Sequence, residues 1–159
     1  MFTCEVENAD EFASFWQRRV VRTIEDGLRK AVNRAAREGA TEAIQRHTFT
    51  NRSGDLERSI GSIVDAGSTT DDYGAEIVAL AQYASYVEDG TKPHVIEARR
   101  TAMLRWVNQL GAVMFRMRVN HPGTAPRPFM GLAYIKAEAV LIRECELALE
   151  KAQQALESA

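Results

Sequence analysis

Between residues 9 and about 47 apolar side chains return every three or four positions, and this constrains the fold more than any other feature of the chain. Phe12, Trp16, Val20, Ile24, Leu28, Ala31 or Val32, and Ala35 form the stripe, while Arg18, Arg22, Arg29 and Arg37 fall largely elsewhere on the wheel. The pattern predicts one long helix, with Asn8 or Asp10 placed to cap its start. At roughly 1.5 Å per residue it would reach about 55 Å, which is long for a chain of 159 residues. A helix of that reach calls for an external partner surface or an oligomer to cover it. Gly27 and Gly39 weaken it, so a bend or break is expected near either.

Beyond a polar breaker at 48–54, two β-prone runs, 56–66 and 73–80, are joined by Gly67-Ser68-Thr69-Thr70-Asp71-Asp72, a hairpin with a long loop. Residues 81–88 then predict a short helix with Tyr83, Tyr86 and Val87 on its apolar face, ending at Gly90 in a left-handed conformation. Thr91 is placed to bond back to that helix end. Pro93 opens an extended piece, 94–97, and 100–110 stays open between helix and strand. Val113, Phe115, Met117 and Val119 alternate with Met114, Arg116 and Arg118, which predicts a half-buried strand with Arg116 and Arg118 on its open side. A Pro/Gly loop at 121–128 follows, in which Pro128 fixes the approach of Phe129, a core anchor. From about 129 to 156 a second amphipathic helix is expected, with Ile135, Ala139, Ile142, Cys145, Leu149, Ala152 and Leu156 inward. The order gives an α+β class: a long N-terminal helix, an antiparallel sheet with a hairpin, a short central helix and a long C-terminal helix. One domain, 1–159, is expected, divided into an N-terminal helix (1–49), a β-rich core (50–128) and a C-terminal helix (129–159).

Hydrophobic content of 45% and charged content of 26% are those of a globular chain. No apolar run is long enough to span a bilayer. The first ten residues lack a basic segment followed by an apolar stretch, so no signal peptide is expected and a cytosol-like compartment is. That compartment argues against a disulfide between Cys4 and Cys145, and Cys145 reads as a small buried hydrophobe. The net charge of −2 conceals a segregation. Residues 61–91 carry six acids and no base, whereas 92–127 carry seven bases against one acid, Glu97. Such blocks can pair within the fold or between subunits, where charge sets register and partner choice.

Signals for catalysis are weak. His47, His94 and His121 are widely separated and form no metal-type spacing. Ser53 and Ser59 lack a nucleophile elbow, and no phosphate-binding glycine motif occurs. Glu88 and Asp89 are adjacent, so on a helix they point in different directions and read as a charged helix end or a contact with a basic neighbour. A small hydrolase built on His94 and Glu88 is the enzyme alternative. The other alternative is a DNA-binding module using Arg18, Arg19, Arg22, Arg29 and Lys30, set against a pI of about 6.0. No cofactor, metal or catalytic residue is assigned.

Three segments in order resemble the neck and tail-completion (minor tail) protein family of long-tailed bacteriophages and prophages. Ser53-Gly54-Asp55-Leu56-Glu57-Arg58-Ser59-Ile60 is similar to that family's lead-in to its first strand. Tyr83-Ala84 with Val87-Glu88-Asp89-Gly90-Thr91 is similar to its Tyr-Ala-x-x-Val-Glu-x-Gly-Thr. Pro126-Arg127-Pro128-Phe129-Met130 with Ala133 resembles its lead-in to the C-terminal helix. Within these segments Gly54, Leu56, Tyr83, Gly90, Thr91, Pro128 and Phe129 read as structural. The likeness spans about residues 50–135; the family often has Thr where Ser53 stands, and 94–106 is its more variable part. It implies a non-enzymatic virion protein, assembled in the host cytoplasm into a six-fold ring at the head–tail junction around the DNA channel. The implied partners are the tail terminator, the head-closure or adaptor ring and transiting DNA contacted without sequence preference, with no membrane. Arg116, Arg118, Glu88, Asp89, Arg99 and Arg100 are the expected interface or channel residues.

Overall fold

The first helix forms over the predicted span but in three pieces: α1 (Ala9–Phe15), a π-helical segment (Trp16–Val21) and α2 (Arg22–Arg46). The computed structural model describes residues 9–51, 53–64, 73–99, 102–108 and 110–157. The wide π turn re-phases the apolar stripe. Val20 therefore turns fully inward, while Phe12 and Trp16, expected on the buried face, stay exposed. No break occurs at the glycines, because α2 runs through both.

Their role is close packing. The C-terminal helix α5 (Met130–Glu157) lies antiparallel against α2. A Cβ on Gly27 would fall on the Ala148 side chain, and one on Gly39 would meet the Ala133 carbonyl at 2.7 Å and the Ile77 side chain at 2.6 Å. The buried residues along the seam are small: Ala31, Ala35, Ala36, Gly39, Ala40 and Ala43 face Ala133, Val140, Ala148 and Ala152. Backbones lined with alanine and glycine approach nearer than leucine would allow. Arg34 bridges to Glu144 across this seam at 3.0 Å, and Lys136 reaches Glu38 at 3.6 Å.

The inward stripe expected on α5 is thereby corrected. Ile135, Ile142, Leu149 and Leu156 are exposed and Cys145 is a half-buried free thiol. Of the expected set only Ala152 is buried. The seam selects small residues, which leaves the bulky stripe facing outward.

At the start of α5 sits the main core. Ala40, Ala43, Phe49, Leu56, Ile60, Ala84, Phe129 and Ala133 pack together, with Ile77, Ala79, Val87 and Met130 at the margin. Phe129 is 0% exposed and meets Phe49 edge-on at 5.3 Å between centroids. Burying such a ring is worth about 1.5–3 kcal/mol. His47 stacks on Phe49 with ring centroids 3.7 Å apart and links to Glu57 at 2.6 Å, so it belongs to the core margin.

The first strand begins later than expected, because 55–59 folds as a short helix α3 (Asp55–Ser59) carrying Leu56 into the core. Strands β1 (Ile60–Val64) and β2 (Ala75–Ala79) then pair antiparallel, Ile60 opposite Ala79 and Val64 opposite Ala75, and lie on α2. The predicted loop 67–72 lies outside the described residues. The short helix α4 (Ala84–Glu88) buries Ala84 and half-buries Val87, while Tyr83 and Tyr86 point outward rather than into the core.

The rest of the β structure forms a two-stranded arm. Strand β3 (His94–Glu97) pairs with β6 (Arg118–His121), and β4 (Leu104–Val107) pairs with β5 (Val113–Arg116), both antiparallel. The open stretch 100–110 thus contains a strand. The predicted strand 113–119 is split at Met117, whose carbonyl accepts from the Ala98 N–H. Of the face expected to be covered, Val113, Phe115 and Met117 are exposed and Val119 is half-buried. An antiparallel sheet needs a second layer to bury one side, and among the described residues neither ribbon of the arm packs extensively on a helix.

Candidate functional site

Two of the three motifs singled out in the sequence meet in space. Helix α4 ends at Glu88, whose Oε2 accepts hydrogen bonds from the backbone N–H groups of Phe129 at 2.7 Å and Met130 at 3.0 Å. Its Oε1 accepts from Gly131 at 3.3 Å. A helix start leaves four N–H groups without intrahelical partners. Here a carboxylate more than forty positions earlier in the chain satisfies three of them and sets a negative charge at the positive end of the helix dipole.

The neighbouring contacts close the same junction. The Arg127 N–H donates to the Val87 carbonyl at 2.9 Å, and Thr91 and Thr124 exchange two backbone hydrogen bonds at 3.0 and 3.1 Å. Gly90 and Gly123 hold φ of +72° and +87°, and a Cβ on either would strike the opposite backbone, at Thr124 and Thr91 respectively. Thr91 therefore bonds to the returning strand rather than to the α4 end. Pro128 is exposed and precedes the buried Phe129. Gly54, in the left-handed region at φ +78°, precedes α3 and Leu56.

This junction is also the root of the arm. Just above it His94 lies opposite His121 with ring centroids 5.0 Å apart. The Gly123 N–H donates to His121 Nδ1 at 3.0 Å, and His94 Nδ1 contacts the Lys92 carbonyl at 2.8 Å. Glu88 is spent on the α5 backbone, so the pair with His94 that a hydrolase would need does not form. Among the described residues no group of three or more His, Cys, Asp or Glu side chains could hold a metal ion.

Charge is distributed along the arm much as the sequence divides it. Arg118 pairs with Glu97 across the ribbon at 3.6 Å, both well exposed. Arg116 reaches the Phe115 carbonyl at 3.4 Å, and Arg99 is exposed. Arg100 lies outside the described residues, as do Asp65, Asp71 and Asp72 of the acidic block. Asp89 is exposed. Among the described residues no ion pair joins the acidic block to the basic one. On the first helix Arg18 bonds to Ser14, Arg19 lies over Phe15 and Arg29 over Tyr73, so several candidate phosphate contacts are occupied locally.

Two surfaces escaped the sequence reading. One is the outward stripe of α5, visible in the sequence as a seven-residue repeat but assigned inward. The other is a groove of about 640 Å³ between α2, β2 and α5, lined by Val32, Ala36, Ile77, Tyr134, Leu141 and Ile142 among others. Among the described residues no helix is long and apolar enough to cross a membrane.

Comparison with known proteins places these features. Residues 10–90 match the family described as Bacteriophage HK97-gp10, putative tail-component. No curated protein and no solved structure matches the chain. The matched stretch runs from the first helix through the hairpin to α4, and so contains Glu88 and Gly90 but stops before the arm. Covering half of the chain, with the 53–60 motif and the second motif up to Gly90, this match shows that the protein belongs to the HK97-gp10-like family of bacteriophage tail components.

Proposed function

We propose that this tail component acts at the head–tail junction, as a ring of identical subunits, six-fold in the simplest case, through which DNA passes. It is assembled in the host cytoplasm and carried in the virion neck. Its neighbours are the tail terminator on one side and the head-closure or adaptor ring on the other. The work it does is mechanical, with no catalytic step.

The observation that carries this reading is the arm: a ribbon rich in arginine and exposed apolar residues that no other element covers among the described residues. A free-standing two-stranded hairpin is marginal in water. An assembly subunit resolves that by covering the arm with a neighbour. Arg99, Arg100, Arg116 and Arg118 then face another subunit or the lumen, with Asp89 at the rim. Glu88 contributes indirectly, by fixing α5 against the root of the arm.

The test is electron microscopy of lysates from the source phage or prophage with this gene stopped early. Filled heads and free tails that fail to join support the junction role, and normal joined particles overturn it. A salt-dependent gel shift by the purified chain, steep in the manner of phosphate contacts, would favour the DNA-binding alternative instead.

A further inference from the structure

We infer that the arm docks on a second copy of this chain, and that its seat is the outward face of α5. This rests on the reading of the protein as a self-assembling component and names the two surfaces that meet. In the β4–β5 ribbon, residues directly opposite share a face. Val107 stands opposite Val113 and Arg105 opposite Phe115. One face of the ribbon thus presents Val107, Val113 and Phe115, all exposed, with Arg105 beside them. Leu104, Trp106 and Met114 on the other face are only half exposed. Among the described residues the apolar side left open is the Val107–Val113–Phe115 side.

The outward face of α5 has the complementary make-up. Ile135, Ile142 and Leu149 recur every seven residues, so they stay within about 20° of one another per step on the helix surface. They are 65%, 56% and 58% exposed. Glu138 and Glu146, each four residues from Ile142 in opposite directions, flank this stripe on either side. Both are exposed, and among the described residues neither forms an ion pair. Of the basic side chains of α5, Lys136 and Arg143 are turned toward Glu38 and Glu144, and Lys151, nine residues from Ile142, lies on the opposite side of the helix.

Charge selects a second copy as the occupant. Residues 92–127 carry seven bases and one acid, and the remainder of the chain carries thirteen bases and twenty-one acids. The arm is therefore repelled by basic surfaces and matched by the body from which it springs. An arm on one face and a seat on another make a heterologous contact, which propagates from subunit to subunit and closes into a ring when the rotation permits. The apolar face of the ribbon also distinguishes this contact from one with phosphates, which arginines alone would serve.

The test uses the purified full-length chain in sedimentation velocity over a dilution series, with Phe115→Asp and Ile142→Asp compared with wild type. Both side chains are exposed, so circular dichroism is expected to show an intact fold in each variant. Each substitution should weaken self-association by at least about tenfold, equivalent to about 1.4 kcal/mol, and the double variant should be little worse than either. Arg105→Glu and Glu146→Arg should each weaken association and partly restore it when combined. An oligomer that survives Ile142→Asp overturns the assigned seat. A wild-type chain that stays monomeric at every concentration overturns self-docking altogether. The failure of particles to join after an early stop would in that case still uphold the junction role.

Discussion

Replacing Glu88 by Ala removes the acceptor that holds three backbone N–H groups at the start of α5. An ordinary N-cap is worth about 0.5–2 kcal/mol. Here the donors at 2.7 and 3.0 Å are part-buried and bond to a charged group, for which about 1.5–3 kcal/mol per bond is usual. The third donor, Gly131, is exposed, and water can replace the carboxylate there. Loss of the cap also frees the backbone N–H of Phe129, whose side chain is the largest fully buried one. The expected destabilisation is about 2–4 kcal/mol, below a simple sum because the bonds share one carboxylate. In a chain of this size that corresponds to a drop of about 4–16 °C in Tm, at roughly 2–4 °C per kcal/mol. Glu88→Gln keeps an acceptor but turns a donor toward one of the N–H groups, so an intermediate loss is expected. Thermal and urea unfolding followed by circular dichroism, at dilution low enough to avoid assembly, measures both. Amide exchange should accelerate first at Met130–Ala133. Asp89→Ala is the control, expected within about 0.5 kcal/mol of wild type. If Glu88→Ala also stays within that margin, the carboxylate does not hold the helix and the reasoning fails.

Gly39→Ala should destabilise the fold by about 1–3 kcal/mol in urea titrations, although alanine is the better helix former, because its Cβ meets the fixed Ala133 carbonyl. A stabilised variant would show that the two helices have room to part. Phe129→Ala should cost about 3–5 kcal/mol and make the isolated chain hard to purify folded, judged by near-ultraviolet dichroism and solubility. The hydrogen bond from Arg34, with Arg34 and Lys136 charges behind it, holds the Glu38 carboxyl below its ordinary value. A depressed carboxyl stabilises above its unfolded titration range and loses that contribution as pH falls through the folded one. Glu38→Gln should therefore be slightly less stable than wild type near neutrality and equal to it in acid; a difference that grows on acidification would reverse the sign. Reversing both Arg116 and Arg118 to Glu should leave the monomer's unfolding curve within about 0.5 kcal/mol of wild type while blocking assembly or head–tail joining in complementation, and joining that proceeds normally removes both arginines from the interface.

Much of the chain could be read without coordinates, because the relevant signals are local. The three-to-four-residue recurrence along 9–47 and 129–156, the hairpin, and the left-handed stop at Gly90 follow from backbone preferences and side-chain period alone. The separation of basic from acidic blocks is likewise a property of the sequence itself. What needed the tertiary structure was every choice between two faces. On α5 both a bulky stripe and an alanine stripe recur with helical period, and amphipathicity alone favours burying the bulky one. The outcome is decided by the partner: Gly27 and Gly39 on α2 bring the two backbones so near that only small residues fit between them. Likewise the alternation at 113–119 marks a strand but cannot say whether anything covers it, and among the described residues nothing extensive does. Glu88 looked like a charged helix end, and it is one, but of a helix that begins more than forty residues later. Local sequence sets period and turn chemistry; which face is buried, and which distant N–H groups a carboxylate serves, depend on distances between elements that only packing fixes.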